Sequence, residues 1–265
     1  MCFRKKPVVI ERMEFAERRF ISASINDYPG IVNDLRGCLN DSRQGKDTLL
    51  LHWPDFDIRR LLDSEATVGA FKGMVSSAIA ALKPGATVCV ISDSCFSQTN
   101  TRIVHERGVQ ETHVPRNRFY ATPGEPTRRI QRPFFLRTDI NWIAMSACGE
   151  TQTAADAFIN DAYHGAFSWY AWRLLKPNMT YRHWMSLIRQ YLPSADFDQI
   201  PSIEGPDFLL DRLVCVGNTL FIHNSTHGTQ LKGIYEEDID EAICFYDGNL
   251  RDNEYFALLN KINFV

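Results

Sequence analysis

The sequence predicts an α/β fold, and three observations carry that expectation. Short apolar runs rich in β-branched residues alternate with stretches of helical spacing, Gly, Pro, Asn and Asp punctuate the boundaries, and the composition is that of an ordinary globule. Of 265 residues, 45% are hydrophobic and 23% charged, with a formal net charge of −3. That length admits one large domain or two small ones. The charge balance excludes a generally basic nucleic-acid binder. No apolar run reaches the ~18 residues of a membrane span, and the basic N-terminus is not followed by a long apolar core. A cytoplasmic chain without nucleic-acid or membrane partners is therefore expected.

Taken in order, residues 1–18 are charged and unpatterned and read as a leader before a single domain at 19–265. Phe20–Ile25 reads as the first strand, closed by the turn signal Asn26-Asp-Tyr-Pro-Gly30. Asn33 or Asp34 is placed to cap a helix through Leu35, Cys38 and Leu39. A second strand is expected at Thr48–His52 or Ile58–Leu62. Ser64-Glu-Ala-Thr67 opens a helix whose apolar positions Val68, Phe71, Met74, Val75, Ala78, Ile79 and Leu82 keep helical spacing. Lys83-Pro-Gly85 stops it, and a strand follows at 87–92.

Residues 97–138 contain eight arginines and read as a functional or mobile loop, or more plainly as a solvated surface segment. Strands are expected at Trp142–Met145, Leu213–Val216 and Thr219–His223. Helices are expected at 153–175, 180–192 and Asn253–Lys261.

The seven cysteines are an odd number, and no CxxC occurs. A disulfide framework or structural zinc site is thus not expected, and most thiols read as small core residues. Cys95 differs because it follows the strand "TVCVIS", at whose tip Asp93 also stands. In open α/β sheets, ligands collect beyond the carboxyl ends of strands. A cysteine attacks as the thiolate, and a histidine that takes its proton can return it to a leaving amine. His227 ends a second apolar strand and is followed by Gly228, whose lack of a side chain allows close backbone approach. The amides of Gly228 and Cys95 are candidates for an oxyanion hole. Spacing alone does not pair Cys95 with His227, since a strand-end cysteine is more often buried filler and His-Gly more often a turn.

The segments "SINDYPGIVNDLRGCLND", "LLDSEAT", "VISDSCFS", "MSACGETQTAADA", "STHGTQ" and "EEDIDEAICFYDG" together resemble the caspase-like clan of cysteine peptidases, in its metacaspase and bacterial caspase-like branch. The likeness covers most of residues 19–262. It implies a caspase-hemoglobinase fold, with a mostly parallel central sheet flanked by helices. It also implies Cys95 as nucleophile, His227 as general acid/base, and an acidic pocket for Arg or Lys formed by Cys38, Asp41, Asp93 and Ser225. Carboxylates in such a cleft give a cationic side chain charge-assisted partners, so peptides or proteins with basic residues are the expected substrates. Arg102, Arg107, Arg116 and Arg118 are candidate self-cleavage sites.

The dyad itself requires no cofactor. The resemblance implies calcium, with Asp240 and Asp252 at ligand positions in an acidic stretch that otherwise reads as a solvated loop. Arg102 and Asn253 stand where further acidic ligands are expected.

There are departures. Thr226 replaces the glycine before the histidine, and Phe96-Ser-Gln98 follows the nucleophile in place of His-Ser-Gly. The histidine-bearing block, 217–265, lies at the C-terminus, whereas in the family it precedes the nucleophile strand. The site is complete only if this block inserts beside the Cys95 strand, in a monomer or in a strand-sharing dimer. Ala147-Cys148-Gly149 resembles part of a true caspase signature, but Cys95 is the better nucleophile and Cys148 is expected in the cleft floor or core.

Three functions follow. One is a cysteine endopeptidase cutting after Arg or Lys. Another is a caspase-like pseudoenzyme that binds basic peptides or a partner peptidase without cutting. A transferase or another hydrolase using the same dyad is a third.

Overall fold

The computed structural model describes residues 18–30, 34–94, 116–118, 140–149, 152–192, 196–197, 199–232 and 239–262. The first strand, β1 (Arg18–Ser24), starts at the end of the expected leader and alternates, with Phe20 on one face and Ile21 and Ala23 on the other. Helix α1 (Cys38–His52) begins later than Asn33 or Asp34 would place it, with Gly37 as its N-cap. It absorbs Thr48–His52, which is helix rather than strand. Strand β2 (Phe56–Leu62) takes the alternative position. Helix α2 (Val68–Ala80) is capped by the Thr67 side chain, which accepts from the Ala70 amide at 3.1 Å. Its buried residues Phe71, Val75, Ala78 and Ile79 form the expected stripe. Gly85, at φ +78°, makes the turn into β3 (Thr87–Asp93), every residue of which is buried.

Residues 116 and 117 form the short strand β4, followed by β5 (Ile143–Ser146). The long helix expected at 153–175 is instead a hairpin followed by a short helix. Strand β6 (Ala155–Ile159) returns as β7 (Ala162–Gly165), and only then does α3 (Ala166–Leu174) begin. The reason is local: Asn160 and Asp161 take φ values of 51° and 65°, the left-handed pair of a two-residue hairpin turn. Helix α4 (Tyr181–Tyr191) is capped by Thr180, as its 180–192 expectation required. Strand β8 (Ser202–Glu204) and the short helix α5 (Asp207–Leu210) follow. Leu213–Val216 is not a strand. Leu213 makes a single bridge to Thr180, and Cys215, at φ 59°, turns the chain away.

Strand β9 (Thr219–Ser225) is wholly buried and runs into β10 (Gly228–Lys232). Strands β11 (Ile239–Phe245) and β12 (Gly248–Arg251) complete a second ribbon before the final helix α6 (Asp252–Leu259).

The architecture is α/β, with a mixed, mostly parallel six-stranded sheet in the order β2-β1-β9-β3-β5-β8. The pairs among β2, β1, β9, β3 and β5 are parallel, and β8 joins antiparallel. The C-terminal block therefore does insert, placing β9 in the centre between β1 and the β3 strand, within one chain. Leu220 and Ile222 of β9 pack with α2 and α6 on one face, and Phe221 packs with Trp172 of α3 and Trp184 of α4 on the other. Two three-stranded antiparallel sheets, β10-β11-β12 and β4-β6-β7, flank the carboxyl ends of the central strands. No helix among the described residues is long and apolar enough to cross a membrane.

Candidate active site

The site is built where β3 and β9 end. Asp93 pairs in register with Ser225, each standing two residues before its expected catalytic partner, Cys95 and His227. Cys95 lies outside the described residues, as do Arg102 and Arg107. His227 is fully buried, with its ring centroid 5.1 Å from that of Tyr28. Its amide donates to the Tyr28 hydroxyl at 2.9 Å, and its carbonyl accepts from the Cys244 amide at 2.9 Å. Thr226 fits the tight turn, buried with its hydroxyl donating to the His227 carbonyl at 3.2 Å.

The four expected pocket residues converge. Cys38 and Asp41 come from the first turn of α1, Asp93 from the tip of β3 and Ser225 from the tip of β9, and all four are fully buried. They surround the guanidinium of Arg118, itself fully buried. Its Nη1 donates to the Asp93 carbonyl at 3.0 Å and to Ser225 Oγ at 2.6 Å, and stands 3.6 Å from Asp93 Oδ2. Its Nη2 donates to Asp41 Oδ2 at 2.8 Å and to Asp156 Oδ1 at 3.0 Å.

Asp156 is a pocket carboxylate that the sequence reading did not assign. It lies in the quoted block "ETQTAADA", but its role depends on the β6–β7 hairpin, which the sequence disguised as helix. The Gly37 and Arg36 amides hold it in place at 3.0 and 2.8 Å.

The backbone of Arg118 is held as firmly as its side chain. Its amide donates to the Ala154 carbonyl at 3.0 Å, and its carbonyl accepts from the Gly228 amide at 2.7 Å. Gly228 was the expected oxyanion donor; the other, the Cys95 amide, lies outside the described residues. Arg116 and Asn117 pair antiparallel with Asp156 and Ala155, so 116–118 lies along β6 as an added strand.

Electrostatics follow from this packing. Burial pushes Asp93 up to about 6 despite the pull of Arg118. Burial acts on Asp41 in the same direction, but Arg118, His164 and Ser225 outweigh it and hold Asp41 below its ordinary value. Arg118 is raised well above its ordinary value: burial opposes its charge, and the carboxylates around it win. Asp41 also accepts from the Gly165 amide and from His164 Nδ1, at 3.0 and 3.2 Å, and Asp93 Oδ2 accepts from the Ser168 amide at 2.9 Å. Gly165 has to be glycine, because a Cβ there would overlap Asp93 Oδ2 and come within 2.7 Å of the guanidinium.

Beneath the pocket, His223 sits between Ser22 and Ser168, its Nδ1 and Nε2 at 3.0 and 3.2 Å from their hydroxyls. Burial lowers it to about 4, which keeps it neutral. Burial likewise raises the Cys38 thiol far above its ordinary value, which makes it a packing group rather than a nucleophile.

Cys148 is buried in the core below β5, with its sulfur 3.4 Å from the Gln152 carbonyl and 3.9 Å from that of Ser94. The expected calcium positions, Asp240 and Asp252, fall in β11 and at the start of α6. Asp252 opens α6 and accepts from the Asn253 amide at 2.6 Å, while the Asp240 side chain lies outside the described residues. Among the described residues, no group of three or more His, Cys, Asp or Glu is placed to hold a metal ion.

No family model matches the chain, and no curated protein matches it.

Proposed function

We propose that the chain is a caspase-like cysteine endopeptidase of the cytoplasm, cutting after Arg or Lys with Cys95 and His227 as its dyad. One observation carries this reading. An arginine side chain is buried among the expected pocket residues while its own carbonyl accepts from Gly228, the expected oxyanion donor. These are the contacts that a basic residue before a scissile bond would make with an acidic pocket and one oxyanion donor, and they support the reading.

In this mechanism the carboxylates bind the cationic side chain and β6 aligns the peptide backbone. His227 removes the Cys95 proton, and the thiolate attacks the carbonyl carbon. As the C–N bond breaks, the imidazolium protonates the leaving amine. Water, deprotonated by His227, then hydrolyses the thioester, releasing a carboxylic acid and restoring the thiol. No step passes through calcium. Self-processing belongs to the same reading, and among the described residues Arg118, one of the expected self-cleavage positions, stands in the pocket.

The test is hydrolysis of fluorogenic peptides ending in Arg, Lys or Asp by the natural sequence, Cys95→Ala and Cys148→Ala. The expected result is turnover of the Arg and Lys peptides, lost with Cys95 and kept without Cys148. Activity surviving Cys95→Ala rejects the assignment. The pseudoenzyme reading has one observation in its favour, namely that the pocket is already filled by the chain's own arginine. Binding of arginine peptides without turnover would select it.

A further inference from the structure

The pocket is not an open cleft but a filled one, and its occupant is part of the same chain. Two features set Arg118 apart from an ordinary buried ion pair. First, the guanidinium is gripped from two sides: Asp41 and Asp156 at one terminal nitrogen, Ser225 and the Asp93 carbonyl at the other. A planar fork meets both sets, and a single ammonium cannot. Second, the grip extends along the main chain, through the Ala154 carbonyl, the Gly228 amide and the pairing with β6. This segment is also bound by its backbone in the manner of an added strand, the way an extended peptide is recognised at a sheet edge.

We propose that Arg116–Arg118 is an internal ligand that closes the pocket, so that another arginine-ended peptide binds only when this strand leaves. The inference rests on the pocket being one for basic peptides, and it is independent of whether the site cuts. The segment and any incoming peptide compete for the same acceptors on Asp41, Asp156 and Ser225 and for the same Gly228 amide. Occupancy in cis sets a high effective concentration that a free peptide has to overcome. Weakening the internal arginine therefore strengthens apparent binding from solution, without any change in the pocket walls.

The test uses the full chain carrying Cys95→Ala, so that nothing is cut, and a fluorescein-labelled tripeptide amide ending in arginine. Its dissociation constant is read by anisotropy for Arg118 itself, Arg118→Lys and Arg118→Gln. Arg118→Lys keeps a positive charge among the carboxylates and so protects folding, but it cannot engage both halves of the grip. The expected result is binding at least ten times tighter to Arg118→Lys than to the Arg118 protein, and tighter again to Arg118→Gln where that variant folds. Affinities within threefold of one another overturn the proposal.

Hydrogen exchange gives a second readout on the Arg118 protein. With peptide bound, the amides of 116–118 exchange faster while Gly228 stays protected by the incoming carbonyl. Bound peptide with unchanged exchange at 116–118 also overturns it. Turnover by chains that retain Cys95 separates this inference from the peptidase reading. If Arg118→Lys binds more tightly but no form cuts any peptide, the internal ligand stands and the peptidase falls. If arginine peptides are cut with the same KM whether residue 118 is Arg or Lys, the peptidase stands and the internal ligand falls.

Discussion

Asp156 shows what a single residue contributes to this site. Asp41 and Asp93 make the pocket acidic, but Asp156 makes it complementary to the shape of a guanidinium, by accepting from the same nitrogen as Asp41 on its other side. Under the proposed peptidase reading, Asp156→Asn weakens the internal Arg118 and an incoming arginine alike, so its expected effect is a fall in the preference for arginine over lysine peptides rather than in turnover of arginine peptides alone. Lysine peptides should lose less, so the Arg/Lys ratio of kcat/KM is the quantity to measure.

His223 has a separate consequence at the same scale. Its folded-state value of about 4 lies below the 6.5 of an unperturbed imidazole. Between those values the unfolded chain binds a proton that the folded chain refuses, so stability falls as pH drops through this window. The shift corresponds to about 3 kcal/mol. Asp93, raised to about 6, has the opposite slope between 3.8 and 6, because there the folded chain holds the extra proton. Since Asp93 is common to the natural chain and to His223→Gln, comparing the two by urea unfolding at pH 7 and pH 4.5 isolates the histidine. The natural chain should lose more stability on acidification than His223→Gln.

Among the elements, α2 and the β6–β7 hairpin represent two extremes. The sequence of α2 specifies its opening at Thr67 and its buried stripe, and the structure follows both, although the helix ends at Ala80, before Leu82 and the Lys83-Pro-Gly85 stop. Thr67→Ala is expected to cost about 1 kcal/mol through loss of the Thr67–Ala70 cap. In calorimetry that amounts to a fall in Tm of roughly 2–4 °C. The hairpin is different. Its alanine-rich sequence, "TAADAFINDAYHGAF", suits a helix by propensity, yet two consecutive left-handed residues and pairing on both strands make it a sheet. That reversal matters, because only a strand at 155–159 can present both Asp156 and a free edge to residues 116–118.

At the scale of the whole molecule, the controlling feature is the insertion of β9. A strand contributed from the last fifth of the chain lies between β1 and β3, so the sheet has no continuous core without it. Phe221 stacks over Phe56 and packs edge-on against Trp172, Tyr181 and Trp184. A chain ending at residue 216 is therefore expected to show no cooperative thermal transition. Phe221→Ala in the full chain should lower stability by about 3–5 kcal/mol, as judged by chemical denaturation. Folding is also expected to wait for the C-terminus, since both neighbours of β9 precede it in the sequence by more than a hundred residues.

Local chemistry was written plainly in the chain. Strand β3, helix α2 and the apolar run of β9 could be read from period and punctuation, because burial on a sheet or along one helical stripe imposes those patterns directly on sequence. The residue types of the pocket, Cys38, Asp41, Asp93 and Ser225, were legible through their motifs. Tertiary structure alone decided that they meet within one molecule, that Asp156 joins them, and that Arg118 fills the space between. Those facts depend on which strand lies beside which and on charges finding partners away from water, and neither is encoded by near neighbours in sequence.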